Sequence, residues 1–153
     1  MIFLYTWLLG IVAGFIAVLC SPEGITIAAA SETLLFYQLT ITVTLSGLIG
    51  FIGHVFRSDM VAESIGWEKG SPFQKELGFA ELGYAIAGFL CLFFGREFWL
   101  AVIVLISPLY LLAAMNHLKE LIIWKNKAPN NIWAILPDIL LPTTWFLLFL
   151  LSK

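Results

Sequence analysis

The sequence predicts an all-α protein, a bundle of helices that cross a lipid bilayer. Of its 153 residues, 61% are hydrophobic and only 12% are charged, and the mean hydropathy is +0.97. A soluble domain of this size cannot bury so much apolar surface, whereas a bilayer solvates it. The apolar runs are long and do not alternate with polar residues, which favours membrane helices over a β-barrel.

About five segments are long enough to span a membrane, since roughly 20 apolar residues cross about 30 Å of hydrocarbon. The spans belong to one membrane domain, residues 1–153, and are 2–20, 33–56, 72–95, 98–124 and 132–151. The first span lacks the basic leader and the cleavage site of a secretory signal. We therefore expect it to be retained, the alternative being a mature protein of four helices.

The connections between these spans contain recognisable breaks and caps. Pro22-Glu23-Gly24 is expected to break the chain after the first span, and Ser31 or Thr33 to cap the second. Between the second and third spans, Ser58-Asp59 is expected to cap a short amphipathic helix that lies along the membrane surface.

Lysine and arginine are distributed unevenly between the two predicted sides. Six lie on the side of the N-terminus and two on the other, namely Arg57, Lys69, Lys75, Lys119, Lys125 and Lys127 against Arg96 and Lys153. Cytoplasmic loops carry the excess of positive charge, so the N-terminus is predicted to be cytoplasmic and the protein to be a multi-pass protein of the cell membrane. The net charge of −2 gives no reason to expect nucleic acid. The expected partners are the lipid bilayer and either another membrane protein or a second copy of the chain.

The stretch GSPFQ, residues 70–74, has the pattern of a helix start. Ser71 is placed as the N-cap, Pro72 at the first helical position and Gln74 three residues after the cap, which is the spacing of a capping box. Glu81 does not belong to this pattern, because it lies nine residues beyond Pro72, about 13 Å along the helix. A carboxylate at that depth is expected to point into the bundle, on the face that carries Gly78, Ala85 and Gly88.

Ionisable side chains from several spans are predicted to meet at one depth, near the cytoplasmic face. The second, fourth and fifth spans contribute His54, His117 and Asp138, and Pro137 is expected to weaken the helix beside Asp138. Imidazoles and carboxylates are ligands for zinc, manganese or iron. The candidate metal or cation site consists of His54, Glu76, Glu81, His117 and Asp138. Taken singly, each residue also has a structural explanation, such as an ion pair that holds two helices together.

Parts of the chain resemble an uncharacterised family of small bacterial and archaeal multi-pass membrane proteins, a domain of unknown function. The resemblance covers roughly residues 45–145 and rests on the elements G-H-x-F, I-G-W, G-S-P-F-Q-x-E and D-x-x-x-P. It implies a shared membrane fold and no particular activity. The matching positions are His54, Trp67, Ser71, Pro72, Phe73, Gln74, Glu76, His117, Asp138 and Pro142.

Three functions are compatible with the sequence. In the first, the polar pocket binds a cation, a proton or a small cofactor, including a haem held between His54 and His117. In the second, the protein is an accessory or structural subunit of a membrane complex. In the third, it is a small proton-coupled transporter with a helix broken at Pro137, although no inverted repeat is visible. No motif decides whether the chain is an enzyme.

Overall fold

The computed structural model describes residues 2–21 and 26–153 and confirms the all-α prediction. The chain break predicted at Pro22-Glu23-Gly24 lies outside the described residues. In the described part of the chain there is no strand. The elements are α1 (Ile2–Leu19), α2 (Ile27–Tyr37), a π-helical segment (Gln38–Val43), α3 (Thr44–Phe56), α4 (Ser58–Ile65), α5 (Phe73–Leu90), α6 (Arg96–Ile122) and α7 (Pro129–Leu151).

Four helical stretches among the described residues are long and apolar enough to cross a membrane. They are Ile2–Leu19, Ile27–Phe56, Arg96–Ile122 and Pro129–Leu151. In the second of these, α2, the π segment and α3 follow one another without interruption. The number of such helices is one lower than the five spans expected from the sequence, and the difference lies in α5.

Helix α5 is shorter and more polar than the span expected at residues 72–95. Three of its 18 residues are charged, namely Lys75, Glu76 and Glu81. It nevertheless packs antiparallel to α3, with Gly78 beside Val55 and Gly88 beside Thr44. α5 therefore lies at the same level of the bundle as α3.

The second span begins earlier than its predicted caps. Thr26 is the N-cap, and its side-chain oxygen accepts a hydrogen bond of 3.2 Å from the backbone N–H of Ala29. The predicted caps lie inside the helix: Ser31 is buried, and Thr33 donates to the backbone carbonyl of Ala29. A threonine hydroxyl bonded to the carbonyl four residues back is a feature of helix interiors.

The other two predicted caps are also placed differently. Helix α4 has Arg57 at its N-cap position, while Asp59 accepts a hydrogen bond from the backbone N–H of Gly70. Helix α5 begins at Phe73 with Pro72 at its N-cap and no side-chain cap. The capping box predicted for Ser71 and Gln74 is therefore wrong.

The π segment is held by side chains that bond to α1. Gln38 Nε2 donates to the carbonyl of Trp7 at 2.9 Å, and the Thr42 hydroxyl donates to the carbonyl of Thr6 at 3.1 Å. Both side chains are fully buried. A π turn disturbs the regular helical bond pattern, and here the side chains around it satisfy carbonyls of the neighbouring helix.

Aromatic residues fill the centre of the bundle, and the direction of the helices defines its two ends. The core contains Trp99 and Trp145 packed among leucine and isoleucine side chains. At one end Arg96 donates to the backbone carbonyls of Ser152 and Phe149, at 2.8 and 2.9 Å. The other end is formed by the start of α1, the ends of α3 and α6, the starts of α5 and α7, and α4. We call it the polar end.

Candidate functional site

The candidate site begins where α3 and α5 approach each other closely. A Cβ added at Gly47 would lie 2.6 Å from the backbone nitrogen of Ala85, so only glycine fits there. Gly50, one turn further on, leaves the space that the Glu81 carboxyl group occupies. Small residues that let two backbones approach are common in membrane helix pairs. As predicted, Glu81 points into the bundle and is only 8% exposed.

His54 and Glu81 form the first of two histidine–carboxylate pairs. His54 Nδ1 lies 2.6 Å from Glu81 Oε2, and both side chains are largely buried. Because a carboxylate can only accept hydrogen bonds, His54 Nδ1 carries the hydrogen and donates it. The Nε2 atom of His54 is thereby left for a third group.

His117 is oriented by an amide on the next helix. Its Nδ1 lies 2.8 Å from Asn131 Oδ1, and Asn131 Nδ2 donates to the backbone carbonyl of His117 at 3.2 Å. Since the amide nitrogen is used in the second bond, Oδ1 accepts and His117 Nδ1 donates. In the neutral ring, Nε2 therefore carries a lone pair.

Asp138 completes the second pair. Its Oδ2 lies 4.0 Å from His117 Nε2, and its side chain is 7% exposed. This distance exceeds the roughly 3.2 Å limit of a hydrogen bond. No other side chain in residues 2–21 and 26–153 pairs with Asp138. A buried carboxylate without a direct partner is costly, so this group is the least satisfied part of the site.

The proline residues beside Asp138 do not break α7, which is helical from Pro129 to Leu151. They remove backbone donors instead, because proline has no N–H. Pro142 therefore cannot donate to the carbonyl of Asp138, four residues earlier. The broken helix expected at Pro137 is not formed.

Both pairs line one cavity of about 660 Å³ at the polar end. Ligand pockets typically have volumes of roughly 300–1,000 Å³ and mostly apolar walls with a few polar groups. The walls here are mainly apolar, and two tyrosines, Tyr84 and Tyr110, also line them. Apart from these tyrosines, the charged or titratable residues that line the cavity are His54, Arg57, Glu81, His117 and Asp138.

A loop residue, Trp67, covers the second pair. Its ring stacks on the His117 ring, with centroids 5.5 Å apart and planes inclined by 23°. The loop is held in place by Asn126, whose Nδ2 donates to the carbonyl of Ile65 at 2.8 Å. Next to it, Gly66 has φ = +75°, a backbone conformation that favours glycine, and a Cβ there would lie 2.6 Å from Asn126 Oδ1. Trp67 is thus positioned by contacts between two loops.

A surface ion pair flanks the same loop. Lys69 Nζ donates to Glu63 Oε2 at 2.8 Å, and both side chains are exposed. The hydrogen bond to Glu63 raises the pKa of Lys69 above its usual value. Solvent screens an exposed pair of this kind, so its contribution to stability is small.

Four of the five predicted site residues line the cavity, namely His54, Glu81, His117 and Asp138. Glu76 does not line it and is exposed in the first turn of α5. The reason is geometric, because five residues correspond to about 140° around a helix, so that Glu76 and Glu81 face different directions. Asn116, the residue before His117, is exposed and borders a separate cleft beside Trp67.

Three residues of the site escaped the sequence prediction. Asn131 lies seven residues before Asp138 and Tyr84 three residues after Glu81, so helical periodicity could have placed them on the same faces. Trp67 had no such signal, because periodicity does not place a loop residue against a helix.

The described residues contain no group of three His, Cys, Asp or Glu side chains placed to hold a metal ion. The ionisable groups come as two pairs instead. Each pair places an imidazole near a carboxyl group, at 2.6 Å for His54 and Glu81 and at 4.0 Å for His117 and Asp138. Metal or haem binding by the predicted residues remains a prediction.

Four helices that are long and apolar enough to span a membrane fit the class of multi-pass membrane proteins. Over residues 1–153 the sequence matches the family described as "Family of unknown function (DUF6790)", and the chain belongs to it. The resemblance to an uncharacterised family is thereby confirmed and extends over the whole chain. No curated protein and no solved structure matches the chain.

Proposed function

We propose that the protein binds a small ligand inside the membrane, in the cavity between the two histidine–carboxylate pairs. The observation that carries the proposal is that α3, α5, α6 and α7 each deliver an ionisable side chain to one cavity of about 660 Å³. Buried ionisable groups in membrane helices are costly and mark functional sites unless they are fully paired. If the two pairs served only to hold the helices together, we would expect a hydrogen-bond donor in contact with the Asp138 carboxylate.

The arrangement of the imidazoles also supports binding. Glu81 holds His54 by Nδ1, and Asn131 holds His117 in the same way. A ring that is already fixed loses little conformational freedom when a ligand arrives, so more of the contact energy appears as affinity. In both histidines the atom left for a ligand is Nε2.

The proposal places the polar end of the bundle at the cytoplasmic face. Its support is the distribution of charge, since six of the eight Lys and Arg residues belong to loops and helix ends on that side. Cytoplasmic segments near membrane helices carry such an excess.

The other two roles expected from the sequence receive no specific support. Large apolar side chains are exposed on the outer faces of the bundle, but lipid covers such faces as well as a partner subunit does. The continuous helix α7 lacks the interruption expected of a carrier.

A cavity-filling variant tests the proposal. Ala113 lines the cavity, whereas Ala80 is exposed on α5. The protein is purified from its own membranes in mild detergent and analysed by native mass spectrometry. The wild type and Ala80→Phe are expected to retain a bound small molecule, and Ala113→Phe to lose it. If all three carry the same molecules, or if none carries any, the proposal is wrong.

A further inference from the structure

We propose that the His117–Asp138 pair binds the ammonium group of an amphipathic primary amine. This inference rests on the proposed function and names the ligand class for the same cavity. The two atoms that would receive the ammonium group are His117 Nε2 and Asp138 Oδ2. The apolar part of the molecule would occupy the remainder of the cavity.

The hydrogen-bonding capacity of the pair selects the ligand group. Asn131 fixes the hydrogen of His117 on Nδ1, so Nε2 of the neutral ring accepts. In its ionised form, the carboxyl group of Asp138 also accepts hydrogen bonds and cannot donate one. Two acceptors that face each other need a bridging group with at least two donor hydrogens. An ammonium group has three, and its charge also compensates the buried carboxylate.

The distance between the two acceptors separates such a group from a metal ion. An atom about 2.8 Å from each acceptor forms good hydrogen bonds to both, and the 4.0 Å separation allows this position. A tetrahedral zinc ion at about 2.1 Å from each ligand atom would instead need them about 3.4 Å apart. With no third metal-binding side chain in the described part of the chain, the geometry fits a hydrogen-bonded cation.

The rest of the cavity suits an apolar tail. Ile2, Ile52 and Met60 line it and are 52%, 49% and 54% exposed. Residues that belong to both the wall and the outer surface form the mouth, which lies between the start of α1, the end of α3 and α4 and is largely apolar, with the exposed Arg57 at its edge. A ligand with a hydrocarbon chain can therefore enter from the lipid.

The other charged lining groups do not oppose an ammonium ion at this position. Glu81 Oε2 lies 2.6 Å from His54 Nδ1, so the carboxyl group and the imidazole of this pair serve each other as partners. Arg57 is exposed at the end of α3, where solvent screens its charge. Among residues 2–21 and 26–153, Asp138 is thus the carboxylate of the cavity that has no cationic group within hydrogen-bonding distance.

The test compares three probes with the same chain length. Octylamine, octanol and octyltrimethylammonium are titrated by calorimetry into the full-length protein in nanodiscs, and titrations of empty nanodiscs are subtracted. Octylamine is expected to bind at least tenfold more tightly than octanol, which has one donor hydrogen, and than the trimethyl compound, which has charge but no donor. This comparison needs only the wild-type protein.

Three variants then locate the site. Asp138→Asn is expected to weaken octylamine binding at least tenfold and to leave octanol binding within a factor of three. Glu76→Gln removes the same charge from the exposed start of α5 and is expected to change neither. His117→Gln provides a second variant with weakened octylamine binding if Asp138→Asn does not fold.

The outcomes separate the two proposals. Equal affinity for the three probes, abolished by Ala113→Phe, would overturn the amine inference and leave the cavity as a binding site. Binding that Ala113→Phe does not change would overturn both. Stoichiometric binding of zinc alone that Asp138→Asn abolishes would overturn the amine inference in favour of a metal ion.

Discussion

Two carboxylates on α5 show how strongly the surroundings of a single residue differ over one and a half turns. Glu81 is largely buried and bonded to His54, while Glu76 is exposed. Truncating one member of a buried pair leaves the other without its partner, so Glu81→Ala is expected to lower the free energy of unfolding by about 2–4 kcal/mol. Glu76→Ala is expected to change it by less than about 0.5 kcal/mol.

These changes can be measured by unfolding the protein reversibly in mixed micelles with increasing denaturing detergent. Comparable midpoints for the two variants would contradict the burial of the His54–Glu81 pair. A loss in the double variant His54→Ala/Glu81→Ala that is smaller than the sum of the two single losses would confirm that the two side chains act together.

The tautomer of His117 is a second prediction at the residue scale. Nitrogen NMR of the labelled imidazole is expected to show the neutral ring with its hydrogen on Nδ1, because Asn131 Oδ1 accepts from it. Asn131→Leu removes the acceptor and is expected to shift the signal toward the Nε2–H form. Asn130→Leu, one residue earlier and exposed, serves as the control. A wild-type ring protonated on Nε2 would contradict both the contact and the acceptor role of that atom.

At the scale of helices, the contact between α3 and α5 depends on glycines at particular positions. A methyl group at Gly50 would occupy the place of the Glu81 carboxyl group, whereas one at Gly83 would meet no atom within 4 Å. Gly50→Ala is therefore expected to destabilise the protein by about 1–3 kcal/mol through overpacking. Gly83→Ala is expected to be neutral or to stabilise it by up to about 1 kcal/mol through helix propensity.

The same unfolding assay distinguishes these two glycine variants. Because both substitutions add one methyl group to a helical glycine, any difference between them reports the space at the contact. If Gly50→Ala were as stable as Gly83→Ala, then α3 and α5 would not approach as described.

Helices were easier to predict than their ends, for a physical reason. Long apolar runs determine where a chain can cross a bilayer, and the structure has helices at all the predicted spans. Caps are local and interchangeable, so Thr26 rather than Ser31 starts the second span, and the serine in GSPFQ caps nothing. A π turn such as Gln38–Val43 leaves no mark in hydropathy.

The candidate site shows the same difference between what a sequence pattern predicts and what only the packed helices determine. Depth along a helix can be counted from the sequence, and this placed His54, Glu81, His117 and Asp138 at one level. Partners across helices depend on rotation and packing, which the sequence of one helix does not contain. The pairing of His117 with Asn131 and the exposure of Glu76 therefore became visible only in the folded bundle.

For the whole molecule, the number of crossings and the orientation can be tested together. Lys69 precedes α5 and Lys153 follows α7, and both are exposed. If α5, α6 and α7 all cross the membrane, these residues lie on opposite sides. If α5, with its three charged residues, does not cross, they lie on the same side. The packing of α5 along α3 favours three crossings.

Single cysteines at these two positions provide the measurement. After Cys20 and Cys91, both free thiols, are replaced by alanine, Lys69→Cys and Lys153→Cys are treated in intact cells with a maleimide that does not cross membranes. Lys153→Cys is expected to react at once, and Lys69→Cys only after permeabilisation, because the excess of basic residues stays in the cytoplasm. The reverse pattern would place the cavity at the outer face, and equal labelling would remove α5 from the spans. In either case the mouth of the cavity and the paired side chains would keep their positions in the bundle, so the ligand experiments remain independent of this result.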